Sequence, residues 1–261
     1  MLCFEERYTR QGVRTWVALG VLAGVLGAGC TKPFDRAIDR GNALARDGKL
    51  TEAQAAFSEA IALEPDSARA HFLRGNTLMS LKKPAEAEPD FRRAAPSLEL
   101  AREALAATAL KAHDAGAALE WVAALPSARA KLLKGRALLA LGRPQEALDV
   151  SNAVPGPEAQ YLKGSALLVL KRYPEAKEIF STMAQATFDP VALKDPRTAL
   201  GPYGLARLEV ALGHGEQALG HLKQAQVIAG AAWEPETVEA DPAFAALSDA
   251  PTFKQILRPP P

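Results

Sequence analysis

A set of small and aromatic residues recurs in this chain at a spacing of 34 residues. The first copy is Gly41, Ala53, Phe57, Ala60 and Pro65, and the second is Gly75, Ala87, Phe91 and Ala94, with Glu99 in the place of the proline. A fixed period of this length is typical of stacked supersecondary units, each of which cannot bury its apolar face alone. The repeat therefore predicts a solenoid of similar units.

Further copies keep the same internal spacing of the small and aromatic residues. These copies are Gly135 with Ala147, Gly164 with Ala176 and Phe180, and two weaker ones in which Ala106 and Ala206 replace the glycine and precede Ala118 and Ala218. We number the positions of each unit so that this glycine or alanine is position 8. Six units are predicted, the last after a long insertion at 187–202 that is itself a candidate contact site.

Each unit is predicted to be a pair of helices joined by a tight turn. Ala and Leu dominate and aromatic residues make up only 6% of the chain, which favours a nearly all-helical protein. Gly48, Gly142, Gly213 and the prolines of Lys83-Pro84 and Tyr173-Pro174 mark the turns. Pro89 falls inside a second helix and is expected to kink it.

This pattern resembles the tetratricopeptide repeat family over residues 34–229. The resemblance implies an all-α solenoid of about six helix-turn-helix repeats that forms a right-handed superhelix with a concave groove. We expect a C-terminal helical cap at 230–257, with Phe244, Leu247, Phe253 and Leu257 covering the last repeat, and a disordered tail at 258–261. The residues expected to pack the repeats are Gly41, Ala53, Phe57, Ala60, Gly75, Ala87, Phe91, Ala94, Gly135, Ala147, Gly164, Ala176, Phe180 and Ala218.

The first 29 residues have the layout of a bacterial secretory signal. Arg7, Arg10 and Arg14 precede an apolar run that ends in small residues immediately before Cys30, and this run is shorter than the roughly 20 residues of a membrane span. The segment resembles a lipoprotein signal, with Gly27 where leucine is usual, which implies acylation of Cys30 and a short tether at 30–33. The alternative is ordinary secretion with a free thiol at Cys30.

A second stripe on the first helices is the predicted partner-binding groove. Positions 5, 9 and 12 lie on one helical face because they are four and three residues apart. The candidate groove residues are Ile38, Asn42, Phe72, Asn76, Met79, Leu132, Arg136, Tyr161, Leu168, Tyr203 and Arg207, whereas unit three carries Glu103 at position 5. In this family, asparagines at position 9 often hold a peptide backbone, and Asn42 and Asn76 match that position. The alternative is that these side chains only complete the core between helices.

The sequence contains none of the short motifs that indicate catalysis, phosphate binding or a zinc site. We expect no catalytic residue, no metal site and no cofactor, since His214 and His221 are too few for a metal that needs three or four ligands. The net charge of +1 gives no basis for nucleic-acid binding.

The expected protein is a non-catalytic interaction scaffold with a protein or peptide segment in its groove. The lipoprotein signal implies a place in the cell envelope, anchored to the outer membrane and facing the periplasm. In function, it resembles the six-repeat pilotin lipoproteins that help to assemble the type IV pilus secretin. Two alternatives stay open, namely a lipoprotein of the β-barrel assembly kind, and an enzyme or small-molecule binder with an unrecognised site.

Overall fold

The structure, a computed structural model, describes residues 32–185 and 196–258. Cys30, the predicted signal segment and most of the predicted 187–202 insertion lie outside these residues. None of the described helices combines the length and the apolar character needed to cross a membrane.

Six consecutive helical hairpins, which we call units one to six, form the described part of the repeat region. The first helices of the units are α1 (Pro33–Arg46), α3 (Ala68–Ser80), α5 (Glu99–Lys111), α7 (Ala128–Ala140), α9 (Pro157–Val169) and α11 (Leu200–Ala211). The second helices are α2 (Leu50–Leu63), α4 (Pro84–Ala94), α6 (Ala115–Val122), α8 (Pro144–Asn152), α10 (Tyr173–Gln185) and α12 (Gly215–Ala229). The predicted all-α repeat architecture is confirmed, and α4 runs unbroken through Pro89.

All six hairpin turns share one backbone conformation at position 15. The φ angle there is positive in Gly48 (75°), Lys82 (62°), His113 (61°), Gly142 (70°), Lys171 (59°) and Gly213 (82°). In each turn the next residue donates its N–H to the carbonyl of position 11, as Arg143 does to Leu138 at 2.8 Å. This six-to-one bond satisfies a carbonyl at the end of the first helix. The repeated turn therefore repeats a backbone conformation, whichever side chain occupies it.

A phenylalanine of the second helix covers the glycine at position 8 in three units. A Cβ atom added to Gly41 would lie 2.5 Å from Phe57, and one added to Gly164 would lie 2.4 Å from Phe180. Where position 8 is Ala106 or Ala206, the smaller Val122 or Leu222 stands at the phenylalanine position. Unit four pairs Gly135 with Ser151, and Leu162 of the next unit fills the space. The volume at this contact is thus kept nearly constant along the stack.

The residues after unit six form the helical cap. This cap contains α13 (Pro235–Glu239), a 3-10 helix at Pro242–Leu247 and α14 (Pro251–Leu257). As expected, Phe244, Phe253 and Leu257 are buried, and they pack with Leu222 of α12. Asp241 caps the 3-10 helix by accepting a hydrogen bond from the N–H of Ala243 at 3.0 Å.

A buried polar cluster joins units one and two. Asp90 of α4 is only 3% exposed and accepts two hydrogen bonds from Arg74, each 2.7 Å long. The ring of His71 lies between the Asp90 carboxylate, 2.7 Å from Nδ1, and the Pro65 carbonyl, 2.9 Å from Nε2. Contacts to Arg74 raise its pKa, chiefly through the hydrogen bond to Asp90. The carboxylate is therefore buried with its charge matched.

Candidate functional site: the inner face of the first helices

From unit three to unit six, contacts between neighbouring first helices place these helices on the inner side of the stack. The helix α7 contacts both α5 and α9, and α9 also contacts α11, whereas no second helix has a comparable contact with the second helix of a neighbouring unit in the described residues. A stack whose first helices approach one another more closely than its second helices curves toward the first helices. We call the surface of positions 2, 5, 6, 9, 12 and 13 of the first helices the inner face.

The inner face lies to one side of position 8, which faces the second helix, and its centre is about 100° around the helix axis from position 8. At about 100° per residue, positions 2, 5, 9 and 13 fall within one side of the helix. The predicted groove residues on it range from exposed to half-buried: Asn76 and Arg136 are exposed, while Asn42, Phe72, Met79, Leu132, Tyr161, Leu168, Tyr203 and Arg207 are half-buried. The half-buried apolar members also pack on the core, as Phe72 does against Phe91 at a ring distance of 6.0 Å.

Ile38 differs from the other predicted groove residues and requires a correction. Its side chain is 0% exposed and lies in the cluster that contains Ala53 and Phe57. A side chain without accessible surface cannot contact a partner in this conformation, so Ile38 belongs to the core. Position 5 is also buried in unit three, where Glu103 is 3% exposed, so the position alone does not decide exposure.

The cap closes the inner face at unit six. The Tyr203 hydroxyl donates to Asp241 at 2.7 Å, and Nε of Arg207 lies 3.4 Å from the same carboxylate. The ring of Phe244 meets Tyr203 edge-on at 5.5 Å, and the guanidinium of Arg207 donates to the Tyr161 hydroxyl at 3.3 Å. The structure therefore brings together three predicted groove residues, Tyr161, Tyr203 and Arg207. They lie around Asp241, a carboxylate of the same chain, rather than around a partner.

The inner face at unit six, which the cap covers, holds an uncharged Tyr203 hydroxyl. Burial, with Tyr161 and Asp241 nearby, raises the pKa of Tyr203 far above its ordinary value, so its hydroxyl keeps the proton that it donates.

At position 9 of unit five, Ser165 is 3% exposed and faces the interior. The exposed position-9 side chains, Asn76 and Arg136, thus belong to units two and four, although Val169 at position 13 of unit five is exposed as well. We call the inner face of units one to four the open inner face.

Several exposed residues of the open inner face lie outside the predicted groove set. Arg69 and Leu100 lie at position 2 and Lys111 lies at position 13, and all three are exposed, Leu100 by 53%. Helical geometry could have identified them, because positions 2 and 13 are three or four residues from positions 5 and 9. The open face therefore combines apolar, amide and cationic side chains, with the exposed carboxylate of Asp39 in unit one.

The one carboxylate on the inner face of units two to four, Glu103, is engaged. It is 3% exposed, accepts a hydrogen bond from the Ser127 hydroxyl, and lies 3.6 Å from Nε of Arg129. Within units two to four, the exposed charges on the inner face are Arg69, Lys111, Arg129 and Arg136. All four are positive.

No described set of three or more His, Cys, Asp and Glu side chains is placed to hold a metal ion. Two of the four histidines lie against a carboxylate, since His214 is 2.7 Å from Glu209 and His71 is 2.7 Å from Asp90.

Comparisons with known proteins agree with the repeat fold. Residues 38–101 match the tetratricopeptide repeat family. A tetratricopeptide repeat protein from Parabacteroides merdae has a similar structure, with a TM-score of 0.62 and 14% identity, covering 86% of this chain and 84% of its own. No curated protein matches this chain by sequence.

Two further solved structures are similar in fold. PilW, described as a widely conserved type IV pilus biogenesis factor, aligns with a TM-score of 0.59 and 17% identity, over 79% of this chain and 98% of its own. PilF of Pseudomonas aeruginosa aligns with a TM-score of 0.55 and 16% identity, over 75% of this chain and 91% of its own. At such identities the likeness concerns the fold. Residues 38–101 carry the family's repeat, and the described chain has the fold of a tetratricopeptide repeat protein.

Proposed function

We propose that this protein is a non-catalytic scaffold that binds a segment of another protein on the open inner face. The observation that carries the proposal is the surface of units one to four, where exposed Asn76 and Arg136 stand beside half-buried Phe72, Met79 and Leu132. Apolar side chains with a few polar groups among them suit the recognition of a peptide or helix.

The proposed location is the periplasmic side of the outer membrane, with acyl chains on Cys30 as the anchor. The support is the sequence around Cys30, and the fold likeness to PilW and PilF is consistent with a role in assembling an envelope complex such as a pilus secretin. More than one acyl chain is needed for stable anchoring. We expect Cys30→Ser to release the protein from the membrane fraction, and retention equal to the wild type would contradict lipid anchoring.

Capture of envelope proteins tests the scaffold role. The full chain is used to capture proteins from detergent-solubilised envelopes, in parallel with an Asn76→Ala/Arg136→Ala variant. The matched control is Lys223→Ala/Lys254→Ala, which removes two exposed side chains outside the inner face. We expect one protein to be captured by the wild type and the control, and at least about tenfold less by the inner-face variant. Equal capture by all three would place binding elsewhere.

The β-barrel assembly role differs from the pilus role only in the partner, so the identity of the captured protein separates them. The enzyme or small-molecule alternative predicts a different result. A strong thermal shift with a cofactor or metal ion, without any captured protein, would favour that alternative over a scaffold.

A further inference from the structure

The closed end of the inner face shows how this surface holds a carboxylate. Asp241 meets position 5 of unit six through the Tyr203 hydroxyl at 2.7 Å and position 9 through Arg207 at 3.4 Å. Three residues after Asp241, the ring of Phe244 packs edge-on against Tyr203 at 5.5 Å. The chain's own segment 241–244 thus places one carboxylate and one aromatic ring on positions 5 and 9.

Unit four repeats the position-9 cation of this arrangement, with Leu132 in place of the Tyr203 hydroxyl and without an occupant among the described residues. Arg136 occupies position 9, as Arg207 does in unit six, but it is exposed and no described carboxylate pairs with it. Leu132 at position 5 and Leu139 at position 12 are half-buried beside it. A cation with apolar neighbours is therefore presented to solvent in unit four, whereas in unit six it is covered.

On the inner face of units two to four the exposed charges have one sign, although the chain as a whole is nearly neutral and Asp39 at position 6 of unit one is exposed. The net charge is +1, yet the exposed charges on the inner face of units two to four are Arg69, Lys111, Arg129 and Arg136. Arg69, Lys111 and Arg136 have no ion pair with a described residue, and Arg129 only approaches the buried Glu103. Exposed cations on a face that also carries apolar side chains favour a partner that supplies carboxylates and apolar groups together.

We propose that the inner face of units two to four binds an acidic protein segment in which a carboxylate is followed three residues later by an apolar or aromatic side chain. The proposal rests on the proposed function, that a protein segment binds the inner face, and it adds the chemistry of that segment. Arg136 receives the carboxylate as Arg207 receives Asp241, and Leu132 and Leu139 receive the apolar side chain. Arg69 and Lys111 hold further carboxylates along the stack.

Selection from a random-peptide display library tests this chemistry with the full chain. We expect the wild type to enrich peptides rich in Asp and Glu with an apolar residue at the third position after a carboxylate. Binding of the enriched peptides should weaken when salt is added, because exposed charges are screened.

Charge reversal supplies the matched comparison. Arg69→Glu/Arg136→Glu should bind the enriched peptides at least about tenfold more weakly than the wild type. A selection with this variant should enrich basic peptides instead. The control Lys223→Glu/Lys254→Glu changes the net charge equally but lies outside the inner face, so it should retain the acidic preference. Circular dichroism of each variant establishes that it is folded.

Each outcome separates this inference from the function on which it rests. Enrichment of neutral or basic peptides by the wild type would overturn the acidic segment while leaving the inner face as a protein-binding surface. Enrichment of acidic peptides that bind the Arg69→Glu/Arg136→Glu variant equally well would move the acidic site off this face. A selection that yields no binding peptide at all would count against the scaffold function itself, and the acidic segment would fall with it.

Discussion

The Cε1 atom of Phe91 lies 2.7 Å from the position that a Cβ atom would take at Gly75. Real Cβ contacts are not this short, so the ring occupies the space that any larger residue at position 8 would need. The other units respect this limit, since alanine at position 8 accompanies Val122 or Leu222 in place of phenylalanine.

We therefore predict that Gly75→Ala destabilises the protein by about 1 to 3 kcal/mol, because the ring must move in a packed core. The double variant Gly75→Ala/Phe91→Leu should lose less free energy of unfolding than the sum of the losses in the two single variants. The reason is that it recreates the alanine–leucine pair of unit six. Gly220→Ala is the control, because its Cβ would meet nothing within 4 Å, and it should be neutral or stabilising. Chemical denaturation measures all four variants, and additive effects would contradict the packing explanation.

The left-handed turns predict a stabilising substitution. Lys171 has a φ of 59°, a conformation in which a side chain other than glycine is strained. Lys171→Gly should raise the free energy of unfolding by about 1 kcal/mol, because units one, four and six already use glycine there. Lys163→Gly, inside α9, should instead lower it by about 1 kcal/mol. A loss of stability at both positions would show that the turn conformation carries no strain.

The buried cluster around Asp90 predicts a large loss on removal of one charge. Asp90→Asn leaves Arg74 without its counter-ion and weakens the acceptor for His71, which should cost about 3 to 5 kcal/mol. Glu88→Gln is the control, since Glu88 pairs with Arg92 on the exposed side of the same helix, and exposed pairs contribute less than about 1 kcal/mol. Equal losses in urea denaturation would mean that Asp90 is not held as the structure shows.

The contact between the cap and the inner face predicts a stability change that depends on pH. Tyr203→Phe removes the hydrogen bond to Asp241 and should cost about 1 to 3 kcal/mol at neutral pH. Because burial raises the pKa of Tyr203, the unfolded chain loses this proton above pH about 10 while the folded protein keeps it. The unfolded state then binds fewer protons than the folded state, so the free energy of unfolding of the wild type falls as the pH rises. The difference in this free energy between the wild type and Tyr203→Phe therefore narrows.

The control for this prediction is Tyr173→Phe, because the Tyr173 hydroxyl has no hydrogen bond to a described residue. That variant should match the wild type at neutral pH. A difference between wild type and Tyr203→Phe that widened above pH about 10 would reverse the sign expected from a raised pKa.

The repeat spacing predicted the hairpins because each unit solves the same packing problem with the same residues. Gly75 and Phe91 stand 16 residues apart in sequence and touch in the structure, and their copies do the same. Contacts of this kind are local and periodic, so pattern alone identifies them. The apolar residues of the cap, such as Phe244, could be predicted for the same reason, since an exposed end of a solenoid must be covered.

The features that the sequence did not predict depend on contacts that do not recur from unit to unit. Asp241 lies 38 residues from Tyr203, and nothing in the sequence indicated that the cap would place a carboxylate on the inner face as well as apolar groups on α12. Asp90 follows Pro89 on a helix rich in carboxylates, so its burial could not be separated from its solvated neighbours by pattern. The strain at Lys82 and His113 was hidden because the turn conformation recurs while the residue type changes.

The most direct test of the account is photo-crosslinking from two positions of unit two in cells. A photoreactive residue replaces either Asn76, exposed on the inner face, or Ala85, exposed on the outer helix α4. If the inner face binds the partner segment, position 76 should crosslink to one protein, and the yield should drop when Arg136→Glu is added. Position 85 should give no such product. A product of equal yield from position 85, or one from position 76 that ignores Arg136→Glu, would contradict binding on the inner face.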